Sequence, residues 1–404
     1  MSPASSHSAA VERIVPMNKV GEETLFEHAP PMGAQRRLGL VNAGNLNINR
    51  RALLFVLIGW APLVVLAILQ SVVWGKDDIA SLLWQVGIHA RYLVAVPLLV
   101  VAEAACAPQL NAIVRNFVNC GIVDERSRAR FDDAIASTRR LLQSSTAEFI
   151  LAVCVYLIAL AAALSYPREQ LPSWAISAGV TPLYSPAGWW HTLVSLPLLL
   201  ILIFGWMWRL ALWARLLWLI SRLPLRLVAS HPDHCAGLSF LGHSVRAFAI
   251  VALALAAIFA GRSAFLVLSG SGLPTTSFYF NVGAMLTIMA LFVAPLLVFT
   301  PALMSVWQRG TLEYDALAEQ VGHAFERKWF DGHKTDATAL ERPDFSATTD
   351  LYSIVANVHA IRFVPVDVKD LITLAVAMLI PFVPVVLLAF PLDEIWAHTK
   401  SLLF

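Results

Sequence analysis

The chain has 404 residues, of which 58% are hydrophobic and only 14% are charged. Soluble domains are roughly 45–50% apolar and about 25% charged, so this composition excludes an ordinary soluble protein and indicates a membrane protein. Basic and acidic residues number 29 and 27, and this near balance gives no support for a nucleic-acid partner.

The first 51 residues contain no apolar run and are rich in Ser, Pro and charge, so we expect a partly disordered cytoplasmic tail. Residues 52–404 are predicted to form a transmembrane domain, because seven apolar stretches could each cross a hydrocarbon core about 30 Å thick. These stretches lie at 52–74, 92–109, 147–166, 190–212, 247–269, 281–304 and 371–390. Lipid offers backbone groups no partners, so the predicted fold class is an all-α, polytopic transmembrane helical bundle.

The distribution of Lys and Arg predicts how the bundle is oriented. The tail and the connections on its side of the membrane carry 24 basic residues, whereas the opposite side carries four. Positive charge accumulates on the cytoplasmic side, so we expect the N-terminus inside and the C-terminus outside. The four cysteines fall in the spans or on the cytoplasmic side, which predicts free thiols.

Three cytoplasmic insertions, 110–146, 213–246 and 305–370, are too long to be turns and predict a small helical layer. In the first, Asp124 is placed to cap a helix over 124–145. In the third, apolar residues at helical spacing predict a helix over 349–365, preceded by a mobile, turn-rich loop over 331–350.

The stretch SHPDHCAGLSFLGHS, residues 230–244, concentrates potential ligands in an otherwise apolar chain. A turn at His231-Pro232-Asp233-His234 would bring its ends within about 7 Å. His231, Asp233 and His234 could then bind zinc, with His243 as a further candidate ligand. The favoured alternative is a capping turn, in which Ser230 or Asp233 starts the helix that leads into the fifth span. Contact with a substrate or partner is a third interpretation.

The motif HPDHCAGLSFLG, residues 231–242, resembles a loop of bacterial inner-membrane proteins in which His-Pro-Asp is followed shortly by Gly-Leu. The resemblance covers about a dozen residues and the general topology, and Ala236-Gly237 stands where two glycines are expected. It implies a multi-pass protein of a bacterial inner membrane and carries no activity with it.

Two ionisable residues within the spans are candidate functional residues, because charge at membrane depth is costly and usually paired. Glu103 lies in the second span and Arg262 in the fifth. Their estimated depths allow an ion pair, which could be a structural lock or a gate for protons or ions. The alternative is that Arg262 extends outward to the headgroups while Glu103 bonds to a neighbouring helix.

Arginines at the inner end of the fourth span are too widely spaced for a voltage sensor. Arg215 and Arg222 share a helix face, which favours contact with anionic lipid headgroups. Prolines interrupt the sixth and seventh spans, and the order of the spans contains a weak three-plus-three repeat typical of some transporters. The interrupting residues are Pro295, Pro301, Pro381 and Pro384.

The leading functional prediction is a transporter or channel for a small solute or ion, acting in the lipid bilayer as a homo-oligomer. A membrane-embedded enzyme with a metal site at residues 231–243 is the first alternative, and a scaffold or signalling subunit is the second. Apart from a possible zinc ion, we expect no cofactor.

Overall fold

The computed structural model describes residues 48–75, 78–165, 167, 171–177, 184–270, 275–330 and 344–389. Within these ranges the chain forms helices and no β-strand, which confirms the all-α class. Seven helices are long and apolar enough to cross a membrane, and each overlaps one predicted span. The protein is therefore a multi-pass helical bundle, while its orientation stays a prediction.

The membrane-length helices are α1 (Ile48–Trp74), α2 (Val86–Asn119), α4 (Ser145–Ser165), α5 (Pro186–Ser221), α6 (Ala249–Leu268), α7 (Thr275–Trp329) and α9 (Val368–Ala389). The intervening helices α3 (Glu125–Leu142) and α8 (Asp344–His359) are too polar to be spans. Short helical segments cover Asp78–Leu83, Ser173–Ala175, Ser239–Gly242 and His243–Ala247.

Three spans form the centre of the bundle. In the most apolar 18-residue stretch of each span, about half of the residues of α2, α5 and α6 are buried within the protein, against 11–28% in the other four spans. Small residues allow close approach here: a Cβ added at Gly261 of α6 would lie 2.4 Å from the Cβ of Ala90 on α2. Interfaces of this kind are typical of membrane helices, because small side chains let the backbones pack closely. The peripheral spans expose apolar side chains toward the region that lipid would occupy.

The first span begins earlier than predicted. It starts at Ile48, so Arg51 belongs to α1 and is fully buried rather than part of the polar tail. Arg50 and Arg51 stand directly before the apolar run, which is why the sequence predicts a span that starts at residue 52. The rest of the predicted tail, residues 1–47, lies outside the described residues.

The predicted cytoplasmic helices are present. Asp124 is the N-cap of α3, as predicted, and its carboxylate accepts a hydrogen bond from the Glu125 amide. Part of the loop predicted over 331–350 is helical, since residues 344–350 form the start of α8. Residues 331–343 lie outside the described residues. Phe345 packs edge-on against Phe325 of α7 at 5.0 Å between ring centroids, and Asp344 forms a salt bridge with Lys328. These long-range contacts favour a helix over a local turn.

Candidate functional site

Glu103 lies at the centre of a buried ion triad. Its two carboxylate oxygens accept hydrogen bonds from Arg51 of α1 at 2.5 Å and from Arg209 of α5 at 2.7 Å. All three side chains are at most 3% exposed. The triad therefore links three spans, and it places two guanidinium groups against one carboxylate away from water.

The surroundings of the triad are tightly packed. The Arg209 guanidinium lies 4.9 Å from the centroid of the Trp206 ring, whose Nε1 donates to the Leu99 carbonyl at 3.0 Å. The void beside Glu103 has a volume of only about 10 Å³. This is close to the minimum for one water molecule, so the void leaves no room for a solute beside Glu103.

The expected ion pair between Glu103 and Arg262 is not formed. Glu103 uses both oxygens for Arg51 and Arg209, while Arg262 lies on an exposed position of α6 and makes no salt bridge within the described residues. Depth alone had suggested the pair, and depth does not fix the direction in which each helix face points.

Arg262 instead lines a cavity of about 630 Å³ at the end of the bundle where α2 and α5 begin. We call this the outer-end cavity, after the predicted orientation of the bundle. Its polar wall residues include Arg91, His191, Thr192 and Arg262, and aromatic or apolar side chains form most of the rest. No described acidic residue lines it. The volume falls within the range of about 300–1,000 Å³ that is typical of small-molecule sites.

Two π-helical segments shape the wall of this cavity. Arg91 lies in the segment Ala90–Ala95 of α2, and His191 begins the segment His191–Ser195 of α5. A π segment widens the helix locally and frequently occurs at functional sites. Neither segment is visible in the sequence, because these spans are apolar on most sides and hydropathy shows little periodicity there.

Buried polar atoms at the cavity have no protein partner in the described ranges. His191 packs edge-on between the rings of Tyr92 and Trp174, with centroids 6.1 and 5.7 Å away. Its Nε2 and the Nε1 of Trp174 are buried without a hydrogen bond to any described residue. Unpaired buried polar groups are costly and are normally satisfied by water or a ligand.

The 230–244 stretch is organised around Asp233. One carboxylate oxygen accepts from the Cys235 and Gly237 amides at 2.8 and 3.1 Å, and the other accepts from Ser239 at 3.0 Å. His231 Nδ1 lies 2.9 Å from the same carboxylate. The arrangement is a turn stabilised by Asp233, whose carboxylate reaches the first amide of the Ser239–Gly242 segment. Neither Ser230 nor Asp233 is the N-cap of a helix leading into the fifth span, because Leu238 and Gly242 hold those positions.

The electrostatics of this loop fit its role in local structure. Burial acts to raise the pKa of Asp233, but the Cys235, Ser239 and Gly237 amides together with His231 outweigh it, so the pKa is lowered. Burial raises the pKa of the Cys235 thiol to about 11, which keeps it protonated near neutral pH. The loop is held from outside by Arg362, which donates to the Asp233 carbonyl at 3.1 Å.

Replacing Asp233 with Ala should loosen this loop and cost about 1–3 kcal/mol, because three backbone donors lose their acceptor. In the native protein the depressed pKa stabilises the loop above the ordinary Asp pKa of 3.8, and this contribution is lost as pH falls through the lower folded value. Hydrogen exchange of residues 234–239 measures both effects. Asp350→Ala, at an exposed position, is the control; equal protection in both variants would contradict the role of Asp233.

The zinc hypothesis stays a prediction. No cluster of three potential metal ligands occurs among the described residues, and His243 lies on an exposed position at the start of the next short helix. His231 and Asp233 contact each other, while His234 adopts a positive φ of 54°. Metal content of the purified protein and of His234→Ala would test this hypothesis directly.

The arginines predicted to contact lipid have different surroundings. Arg215 donates to Ser137 at 2.9 Å and Thr138 at 3.3 Å, so it ties α5 to α3. Arg222 is exposed, with its guanidinium 5.1 Å from the centroid of Trp218, and its lipid contact stays a prediction. The sixth and seventh spans do break at Pro295 and Pro381, but neither residue lines the outer-end cavity. All four cysteines are free, as predicted.

Comparison with protein-family models, with curated proteins and with solved structures gives no match for this chain.

Proposed function

We propose that this multi-pass membrane protein transports a small solute across the bilayer through its own helical bundle. The observation that carries the proposal is the outer-end cavity, which lies at one end of the central spans and has a volume suited to a small molecule. Arg91 and Arg262 place charge in its wall, as expected of a site that selects a polar solute rather than lipid.

The ion triad supports this proposal because it would close the transport path on the inner side of the outer-end cavity. Arg91 and Glu103 are separated by twelve residues of α2, which corresponds to about 18 Å along a helix. A cavity open at one end and a charged, tightly packed layer farther in are the features expected of a transporter that is open to one side of the membrane. Glu103, Arg51 and Arg209 then act as the inner barrier, in place of the predicted Glu103–Arg262 gate.

A bacterial inner membrane, with the N-terminus inside, is the location we propose. The resemblance of residues 231–242 supports the membrane, and the excess of Lys and Arg supports the orientation. Arg51 and Arg209 were counted in that excess and are buried, yet the remaining asymmetry is still large.

A thiol-labelling experiment tests the orientation. Cys120 is exposed at the inner end of α2, so a membrane-impermeant maleimide should label it only after the cells are permeabilised. In a Cys154→Ala background, Ser165→Cys places a thiol at the opposite end of α4 and should be labelled in intact cells. The reverse pattern would show that the N-terminus is outside.

Flux into proteoliposomes tests transport. Protein in vesicles is compared with empty vesicles using a panel of inorganic ions, carboxylates, amino acids and sugars. In a Cys120→Ser/Cys154→Ser background, Ala162→Cys adds a thiol to the cavity wall, while the adjacent Ala161→Cys adds one outside it. A bulky thiol reagent should block flux only in Ala162→Cys. Absence of protein-dependent flux for the whole panel would contradict the proposal.

A further inference from the structure

The outer-end cavity brings together two positive charges. Arg91 and Arg262 both line it, no described acidic residue does, and neither arginine forms a salt bridge within the described ranges. Arg262 lies six residues before the end of α6, about 9 Å along the helix from that end. Charged groups at membrane depth are usually paired, so among the described residues these two arginines favour an anionic ligand in the cavity.

The two arginines are the donors that a ligand in the cavity can reach. The Nε1 of Trp174 and the Nε2 of His191 are buried behind the cavity surface, although neither has a hydrogen-bond partner in the described chain. Two guanidinium groups therefore line one space, and carboxylate or phosphate oxygens are the acceptors that arginine binds most strongly.

The remaining walls indicate an apolar body on the ligand. Trp84, Leu196 and Phe265 line the cavity together with several alanines. A bare inorganic ion would fill little of 630 Å³ and would leave these surfaces uncovered.

We propose that the outer-end cavity binds an organic anion, with its carboxylate or phosphate held by Arg91 and Arg262 and its apolar part against the aromatic wall. This inference names the solute class of the proposed transport function and rests on it for its biological meaning. The same chemistry is offered by a soluble carboxylate and by the phosphate of an anionic lipid, and the test separates the two.

Binding is measured on the full chain in nanodiscs of phosphatidylcholine, with radiolabelled benzoate, octanoate and phenyl phosphate. Benzamide, the neutral analogue of benzoate, is the matched ligand control. We expect at least one of the three anions to bind. If benzoate binds, benzamide should bind at least tenfold more weakly than benzoate. Arg91→Gln or Arg262→Gln should lower the affinity for the bound anion about tenfold or more.

Arg309→Gln, at an exposed position on α7 outside the cavity, should bind as the native protein does. If Arg→Gln variants fail to fold, Arg91→Lys and Arg262→Lys keep the charge and should retain part of the affinity. Nanodiscs that contain phosphatidylglycerol form the lipid arm. If this lipid displaces the soluble anion in the native protein but not in a surviving arginine variant, the site is an anion site occupied by lipid.

The inference would be overturned if the protein bound none of the three anions and did not enrich phosphatidylglycerol. It would also be overturned if benzoate and benzamide bound equally and this binding were unchanged in both arginine variants. Binding without protein-dependent flux would preserve the anion site and remove the transport proposal. Flux of a neutral solute without anion binding would preserve the transport proposal and remove the anion site.

Discussion

Replacing Glu103 with Gln should destabilise the protein by about 3–5 kcal/mol, because it removes the charged carboxylate that pairs with two buried guanidinium groups. Both Arg51 and Arg209 depend on this carboxylate, and neither side chain is more than 3% exposed. Unfolding in mixed detergent measures the loss. Glu313→Gln, at an exposed position on α7, should change stability by less than about 0.5 kcal/mol.

A triple variant separates structure from function. Replacing Arg51, Glu103 and Arg209 together by Met, Leu and Met removes every charge of the triad, and such a replacement is often neutral or stabilising. If stability returns and any demonstrated flux also returns, the triad is only a structural lock. If stability returns without flux, the charges serve transport. A demonstrated flux that is unchanged in Glu103→Gln would show that Glu103 has no role in the path.

Replacing Asp370 with Ala should cost about 2–3 kcal/mol and detach the start of α9. The carboxylate is 1% exposed, accepts from the Asp367 amide at 3.1 Å and forms a salt bridge with Arg246. A Cβ at Gly242 would lie 2.2 Å from its Oδ2, so Gly242→Ala should disturb the same contact.

A double-mutant cycle checks this explanation by thermal unfolding. Once Asp370 is Ala, the clash at Gly242 is relieved, so the two substitutions together should cost less than the sum of their separate effects. Strict additivity would show that Gly242 and Asp370 act independently. Asp350→Ala, at an exposed position of α8, controls for loss of a helix carboxylate.

The spans were predictable from the sequence because lipid imposes length and hydropathy on every crossing helix. The partners of Glu103 were not, since hydropathy fixes depth and leaves the rotation of each helix open. Arg51 was assigned to the tail because it follows another arginine and directly precedes the apolar run. Arg209 was counted among basic residues at the inner boundary, although a buried carboxylate in α2 already implied a cationic partner.

The cavity was also outside the reach of sequence patterns. Its arginines come from α2 and α6, and the unpaired N–H of Trp174 comes from the connection before α5. Arg91 had been assigned only to a connection. The turn at Asp233 was more predictable than the cavity, because an Asp side chain bonds to amides only a few residues further along the chain.

The ion triad carries a net positive charge, since it contains two arginines and one glutamate. Two guanidinium groups face one carboxylate, so one positive charge remains where water is scarce. At 10 Å and an effective dielectric constant of about 20, one unit charge interacts with another by about 2 kcal/mol. On the proposed transport path, a sodium ion or a proton would meet that repulsion, whereas an anion would be attracted by the same amount. The triad would then favour anions over cations before any contact with a specific solute is made.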